Sequence, residues 1–89
     1  MLKVILYYSD KCGHCIEFKK EWEMFKNKYN RSRTVKTEEY NASQYRKEMI
    51  AMGITYIPCI RIVKNEQIFN YSGQNTFIDL DKYIQSINY

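Results

Sequence analysis

The sequence predicts one α/β domain, a four-stranded mixed sheet flanked by three helices in the order β-α-β-α-β-β-α. Three observations lead there. An apolar run at residues 2–8 is followed closely by a helical stripe. Two strand-like runs, 57–64 and 67–71, are separated only by Asn65-Glu66, which marks a hairpin. A final stripe of Phe77, Leu80, Ile84 and Ile87 closes the chain with a helix. The 89 residues, read as a single unit spanning 1–89, are enough for one small core.

Each element has a local reason. Residues 2–8 are nearly all apolar, as in a central strand buried on both faces. Ser9-Asp10-Lys11 is a short loop. The first helix runs to about Asn27 or Lys28. Cys15, Phe18, Trp22, Phe25 and Tyr29 form its inner stripe, and Lys19, Lys20, Glu21, Glu23 and Lys26 cover its other faces. A polar turn at 30–33 precedes a short strand at 34–37. Asn41 or Ser43 caps a second helix that runs to about Met52, with Tyr45, Met49 and Met52 turned inward. Gly53 suits the left-handed position just past that helix. Pro58 lies at the start of the third strand, where a missing N–H is tolerated. Gly73 breaks the chain after the hairpin, and Asn75 or Thr76 caps the last helix.

Composition narrows the function. Hydrophobic residues make up 45%, and nine Tyr with four Phe make much of the core aromatic. One Pro and three Gly argue against a long linker, and no internal repeat is visible. The net charge of +4 is spread along the chain, its tightest group being Arg31, Arg33 and Lys36. A solvated surface accounts for that spread better than nucleic-acid binding does. A positive face would also favour glutathione or acidic protein surfaces. No signal peptide or membrane span is read. Three Cys, an odd number, is unlike a disulfide-rich secreted scaffold. A soluble cytoplasmic protein is the expectation. In such a reducing compartment paired thiols are more often catalytic than structural.

Cys12-Gly13-His14-Cys15 is the main chemical signal. Two thiols three apart at a helix start share one face, close enough for a disulfide. The first thiol lies where orphan N–H groups and the positive helix end stabilise an anion. The thiolate is the reactive form, so the motif reads as a dithiol–disulfide redox site. Cys12 would attack a substrate disulfide and Cys15 would resolve the mixed disulfide. His14, the only histidine, lies between them and would stabilise the thiolate, making the disulfide more oxidising. An exposed histidine with no role is the plainer alternative. Lys11 lowers the Cys12 pKa or meets a substrate carboxylate, or is simply solvated. Lys11 and Gly13, which flank the nucleophile, are counted among the substrate-binding residues. Zinc is the competing use of these cysteines. A closed structural zinc site takes four ligands, and only His14 and Cys59 could join the pair, so no metal is expected. Phe18, Trp22 and Phe25 share one stripe and read as core rather than a substrate platform.

The motif and the element order resemble the thioredoxin superfamily across essentially the whole chain. Cys12-Gly13-His14-Cys15 is similar to the active-site motif of protein disulfide isomerases. Gly53-Ile54-Thr55-Tyr56-Ile57-Pro58 resembles the segment leading to that family's cis-proline, and Tyr71-Ser72-Gly73 resembles its ending. The resemblance implies a thioredoxin-like fold and a cis bond before Pro58. It places Ile57 beside the redox pair, with backbone open to an extended substrate. It also implies that Gly73 permits close substrate approach. A trans proline at a strand start and a plain turn glycine are the alternatives. The short length and Tyr8-Ser9 look like glutaredoxin, whereas Gly-His replaces the Pro-Tyr interior typical of glutaredoxins. Ser72-Gly73-Gln74-Asn75-Thr76 departs from the glycine pair and aspartate that hold glutathione in many of them. Leu6 falls where thioredoxins carry a buried aspartate that helps proton transfer, so that role is unfilled. Cys59 reads as a buried, inert thiol, with a regulatory or intermolecular disulfide as the alternative.

The resemblance therefore implies a thiol–disulfide oxidoreductase acting on protein disulfides and dithiols or on glutathione mixed disulfides. Glutathione would be a co-substrate and a reductase would recycle the protein. No tightly bound cofactor, nucleic acid or membrane is expected, and the expected state is a monomer. The His14 reading places the potential at about −230 to −180 mV, above thioredoxin's roughly −270 mV. Two other classes stay open: a glutathione-dependent iron–sulfur protein on the same scaffold, and a non-catalytic interaction domain.

Overall fold

The computed structural model describes residues 1–88, so Tyr89, the last residue of the expected 1–89 unit, lies outside the described residues. The elements follow in the expected order: β1 (Leu2–Tyr8), α1 (Gly13–Tyr29), β2 (Val35–Asn41), α2 (Ala42–Ala51), β3 (Cys59–Lys64), β4 (Gln67–Asn70) and α3 (Phe77–Ile87). The sheet order is β2-β1-β3-β4. β1 runs parallel to β2 and antiparallel to β3, and β3 pairs with β4 as a hairpin.

β1 is interior to the sheet, so alternation along it feeds two cores. Leu2, Val4 and Leu6 pack with Phe18, Trp22 and Phe25 of α1 and with Leu80 and Ile84 of α3. Ile5 and Tyr7 pack with Met49, Ile54 and Cys59. Two helices thus cover one face and α2 the other. Among the described residues no helix is long and apolar enough to cross a membrane.

Four differences from the sequence reading stand out. β2 is longer than the expected 34–37 because pairing with β1 continues in register from Leu2↔Val35 to Tyr8↔Asn41. Its outer half, Glu38-Glu39-Tyr40, is polar because this is an edge strand. Lys3 meets Glu38 at 3.1 Å and Tyr40 donates to Glu38 at 2.6 Å. The expected inner face of α2 is also corrected. Met49 is buried, but Tyr45 is 39% exposed and Met52 42%. Non-helical backbone at Tyr45 breaks the stripe there, and its ring stands edge-on to Tyr40 at 4.9 Å. β3 begins at Cys59 rather than Ile57, after a cis Ile57–Pro58 bond. At the far end β4 stops at Asn70, although the Tyr71 N–H still donates to the Ile60 carbonyl at 2.8 Å.

The end of α2 is well determined. Gly53 has φ +78°, its N–H donates to Ile50, and the Ile54 N–H donates to Met49. These two bonds and the Met49–Ile54 apolar contact make a Schellman motif, which glycine accommodates without a Cβ penalty.

One buried charge lay outside the sequence reading. Asp81 of α3 accepts from Lys28 Nζ and Tyr29 Oη, both at 2.5 Å, and from Gln85 at 3.1 Å. These bonds fasten α3 to the last turn of α1. Burial pushes the Asp81 carboxyl up, but the hydrogen bonds from Lys28 and Tyr29 outweigh it and leave its pKa lowered. Burial and Asp81 together push the Tyr29 phenol up to about 12. A folded-state carboxyl pKa below the unfolded value adds stability above about pH 4, which is lost as pH falls through the folded value. Asp81→Asn is expected to cost about 1–3 kcal/mol near neutral pH, measured by urea denaturation. The gap between wild type and variant should shrink toward about pH 3; a constant gap would refute the charge-based account.

Candidate redox site

The site is built where β1 hands over to α1. Ser9-Asp10-Lys11 closes a short turn in which the Cys12 N–H donates to the Ser9 carbonyl at 3.2 Å. The Lys11 N–H donates to Ser9 Oγ at 3.2 Å. Cys12 is the N-cap of α1, with extended backbone at φ −95° and ψ 119°. Its Sγ accepts the Cys15 N–H at 3.4 Å, the place an N-cap side chain takes. As a thiol, Cys12 also donates to the Ile57 carbonyl at 3.8 Å.

The two thiols of the motif differ sharply. The Cys12 pKa is lowered by hydrogen bonds from the Cys15 side chain and then from the Cys15 N–H, with a smaller contribution from the His14 N–H. Cys15 lies on the buried stripe of α1, and burial first, then its bond to Cys12, push its pKa up to about 11. One helical turn therefore separates a thiol that ionises more readily from one that holds its proton. All three cysteines are present as thiols.

Other predicted residues fall as follows. His14 meets Cys12 through its backbone; its imidazole is 85% exposed, with Nδ1 3.8 Å from Glu17. Stabilisation of Cys12 thus comes from backbone N–H groups and Cys15, where the sequence reading looked to the imidazole. Lys11 is exposed, and it is not among the groups that shift Cys12. Gly13 is open, with nothing within 4 Å of where a Cβ would be. Ile57, Pro58 and Gly73 line one groove of about 550 Å³ together with His14, Tyr56 and Tyr71. Gly73 has a further reason to be glycine: a Cβ there would sit 2.6 Å from Tyr71 Cζ. The Tyr71 ring is buried and its hydroxyl donates to the Gln74 carbonyl at 2.8 Å. Cys59 is 1% exposed in the second core, and burial raises its pKa. Ile57 packs against this same core, and it is the Ile57 carbonyl that meets Cys12. Among the described residues no three His, Cys, Asp or Glu side chains cluster as metal ligands would.

Sequence reasoning passed over Tyr56 and Glu17, which also line the groove. The His14-to-Glu17 spacing of three was a readable signal for one. Tyr56 had none beyond its place before Ile57.

The family model for thioredoxin matches residues 1–86. The chain belongs to the thioredoxin family. The first thioredoxin domain of mouse protein disulfide-isomerase A4 superposes with a TM-score of 0.82 at 19% identity, covering 99% of this chain and 64% of that one. The J-Trx1 fragment of ERdj5 gives 0.85 at 19% identity, covering 96% of this chain and 42% of that one. Thioredoxin of Fasciola hepatica gives 0.77 at 17% identity, covering 96% and 79%. The chain thus spans less than two thirds of the first two structures. At these identities the likeness is one of fold, and the fold is the thioredoxin fold.

Two outcomes follow from the geometry. Iodoacetamide near pH 7 should label Cys12 at least about tenfold faster than Cys15 or Cys59, read by peptide mass spectrometry. Comparable labelling of Cys15 would contradict the split between the two thiols. Gly73→Ala must displace the Tyr71 ring and should cost about 1–3 kcal/mol in a denaturation midpoint analysis. A neutral substitution would mean the ring moves freely.

Proposed function

We propose that this thioredoxin-family domain is a thiol–disulfide oxidoreductase using Cys12 and Cys15. The observation that carries the reading is the Cys12 sulfur at the helix N-cap, held by the Cys15 N–H at 3.4 Å and lowered in pKa. The Cys12 thiolate attacks one sulfur of a substrate disulfide. That bond breaks, one substrate sulfur leaves as a thiolate, and a mixed disulfide forms. Cys15 then attacks Cys12 Sγ, the second substrate sulfur leaves, and the Cys12–Cys15 disulfide remains. The substrate gains two electrons and the protein loses them. Run in reverse, the same steps oxidise a dithiol.

The groove beside Ile57 and Gly73 supports an extended substrate, either a protein segment or glutathione in a mixed disulfide. Likeness to a domain of a protein disulfide-isomerase favours protein disulfides. The cysteine pattern favours a reducing compartment such as the cytoplasm, with glutathione or a reductase returning the dithiol.

The test is turnover of a peptide disulfide and of a glutathione mixed disulfide. Cys12→Ser should reduce both to background, and Cys15→Ser should accumulate a mixed disulfide visible by intact-mass spectrometry. Equilibration in glutathione buffers should place the pair at about −230 to −180 mV, because a stabilised Cys12 thiolate favours the dithiol form. Undiminished turnover in Cys12→Ser would overturn the proposal. A value near about −270 mV would make the protein a thioredoxin-like reductant instead.

A further inference from the structure

Cys15 borders a second cavity, of about 390 Å³, whose lining includes Leu6, Tyr8, Lys19, Trp22 and Glu39. It shares no lining residue with the groove of Ile57 and Gly73. The residue that brings a carboxylate into it is on β2. The parallel register sets Glu39 beside Leu6. Trp22 Nε1 donates to Glu39 Oε1 at 3.0 Å, and Lys26 Nζ donates to the same oxygen at 2.6 Å. Glu39 is thereby held against α1, the helix that carries Cys15, and at 37% side-chain exposure it stays in reach of water.

The resolving step needs such a group. With its pKa up at about 11, Cys15 is a thiolate in only about one molecule in ten thousand near neutral pH. In the mixed disulfide the charge on Cys12 is gone, but burial, the largest cause of the shift, remains. A proton must therefore leave a buried thiol as that thiol attacks.

We propose that Glu39 is the proton acceptor for Cys15, acting through water in the cavity that both residues line. This role rests on the dithiol exchange proposed above. The Cys15 proton passes through water to the Glu39 carboxylate as the sulfur attacks Cys12 Sγ. The Cys12–substrate bond breaks and its electron pair leaves on the substrate sulfur, which takes a proton from solvent. Glu39 then returns its proton to solvent. A cavity of this size admits several waters, each needing roughly 30 Å³, and its polar walls supply partners. Burial pushes Glu39 up, but hydrogen bonds from Lys26 and Trp22 outweigh it and keep its pKa lowered, so the carboxylate is ionised when needed. Tyr8, Asp10, Lys19 and Glu23 are the other titratable groups on the cavity wall, with Lys26 just behind. Asp10 is the rival carboxylate; it is exposed at the mouth and accepts from Asn41 Nδ2 at 3.1 Å.

The test reacts the reduced protein with a chromogenic aromatic disulfide. Attack by Cys12 releases one coloured thiolate, and resolution by Cys15 releases the second. In Glu39→Gln the first phase should keep its rate and the second should slow about tenfold or more, in the range of general base catalysis. The wild-type advantage in the second phase should persist as pH falls toward the carboxylate range and disappear toward about pH 11, where the thiol ionises unaided. Asp10→Asn should resolve at the wild-type rate. Lys3→Met removes the neighbouring ion pair of β2, with Glu38, but leaves Glu39 and both its partners, and should resolve at the wild-type rate. An unchanged second phase in Glu39→Gln, or equal slowing in Lys3→Met, would overturn the role of Glu39. A wild-type protein that releases only the first thiolate would instead overturn the dithiol exchange on which it rests.

Discussion

A helix that starts on a sulfur organises this molecule. The first turn of α1 needs acceptors for N–H groups that have no partner inside the helix. Cys12, extended in backbone and just outside the helix, supplies one through Sγ to the Cys15 N–H. The cap strengthens when the sulfur is ionised, so the helix and the thiolate stabilise each other. The same hydrogen bond fixes where the second thiol goes. Three residues on, Cys15 joins the stripe of Phe18, Trp22 and Phe25 and is buried with it. Two identical side chains thus move in opposite directions in pKa because one precedes the helix and the other lies one turn inside it.

The facing wall is set from the other core. The Schellman end of α2 anchors Ile54 beside Met49, and β3 resumes at Cys59, whose Cα pairs with Tyr7 of β1. The intervening segment is held at both ends by the second core. That is what presents the Ile57 carbonyl to Cys12 at 3.8 Å. Cys59 contributes to this by filling space among Ile5, Tyr7 and Met49. Its burial gives it a packing role, and burial also raises its pKa away from reactivity.

Much of this was legible because local signals and tertiary demands agree. β1 reads as buried on both faces and is; the α1 and α3 stripes name the core residues that the structure packs together. The cysteine pair is legible from its place at a helix start, and the cis bond before Pro58 follows from the resemblance to the thioredoxin superfamily. What stayed hidden depends on neighbours distant in sequence. The outer half of β2, beyond the expected 34–37, carries no strand signal until β1 pairs with it, since an edge strand has little need of apolar residues there. Asp81 looks like a surface residue of an amphipathic helix; only the approach of Lys28 and Tyr29, more than fifty positions away, explains its burial. His14 shows another side of this. Its position between the cysteines invites an electrostatic role for the ring; at the second position of α1 the ring stands exposed beside Glu17, and the Cys12 sulfur is held by the Cys15 N–H.

Leu6 carries the same lesson into function. Read along β1, this position is a missing acid. Read across the sheet, it is one member of a parallel pair whose other member is Glu39. Side chains at paired positions of a parallel ladder project to the same face, so a cavity behind the pair receives whatever either strand supplies. A leucine there keeps the core beneath Trp22 closed, and the glutamate beside it brings the charge from the edge strand, where water and Lys26 offset the cost of burying it. An interior strand would exact a larger desolvation penalty for the same carboxylate. The edge position therefore keeps Glu39 ionised without an additional buried cation. It also leaves the proton it is proposed to accept only a short, wet route to solvent.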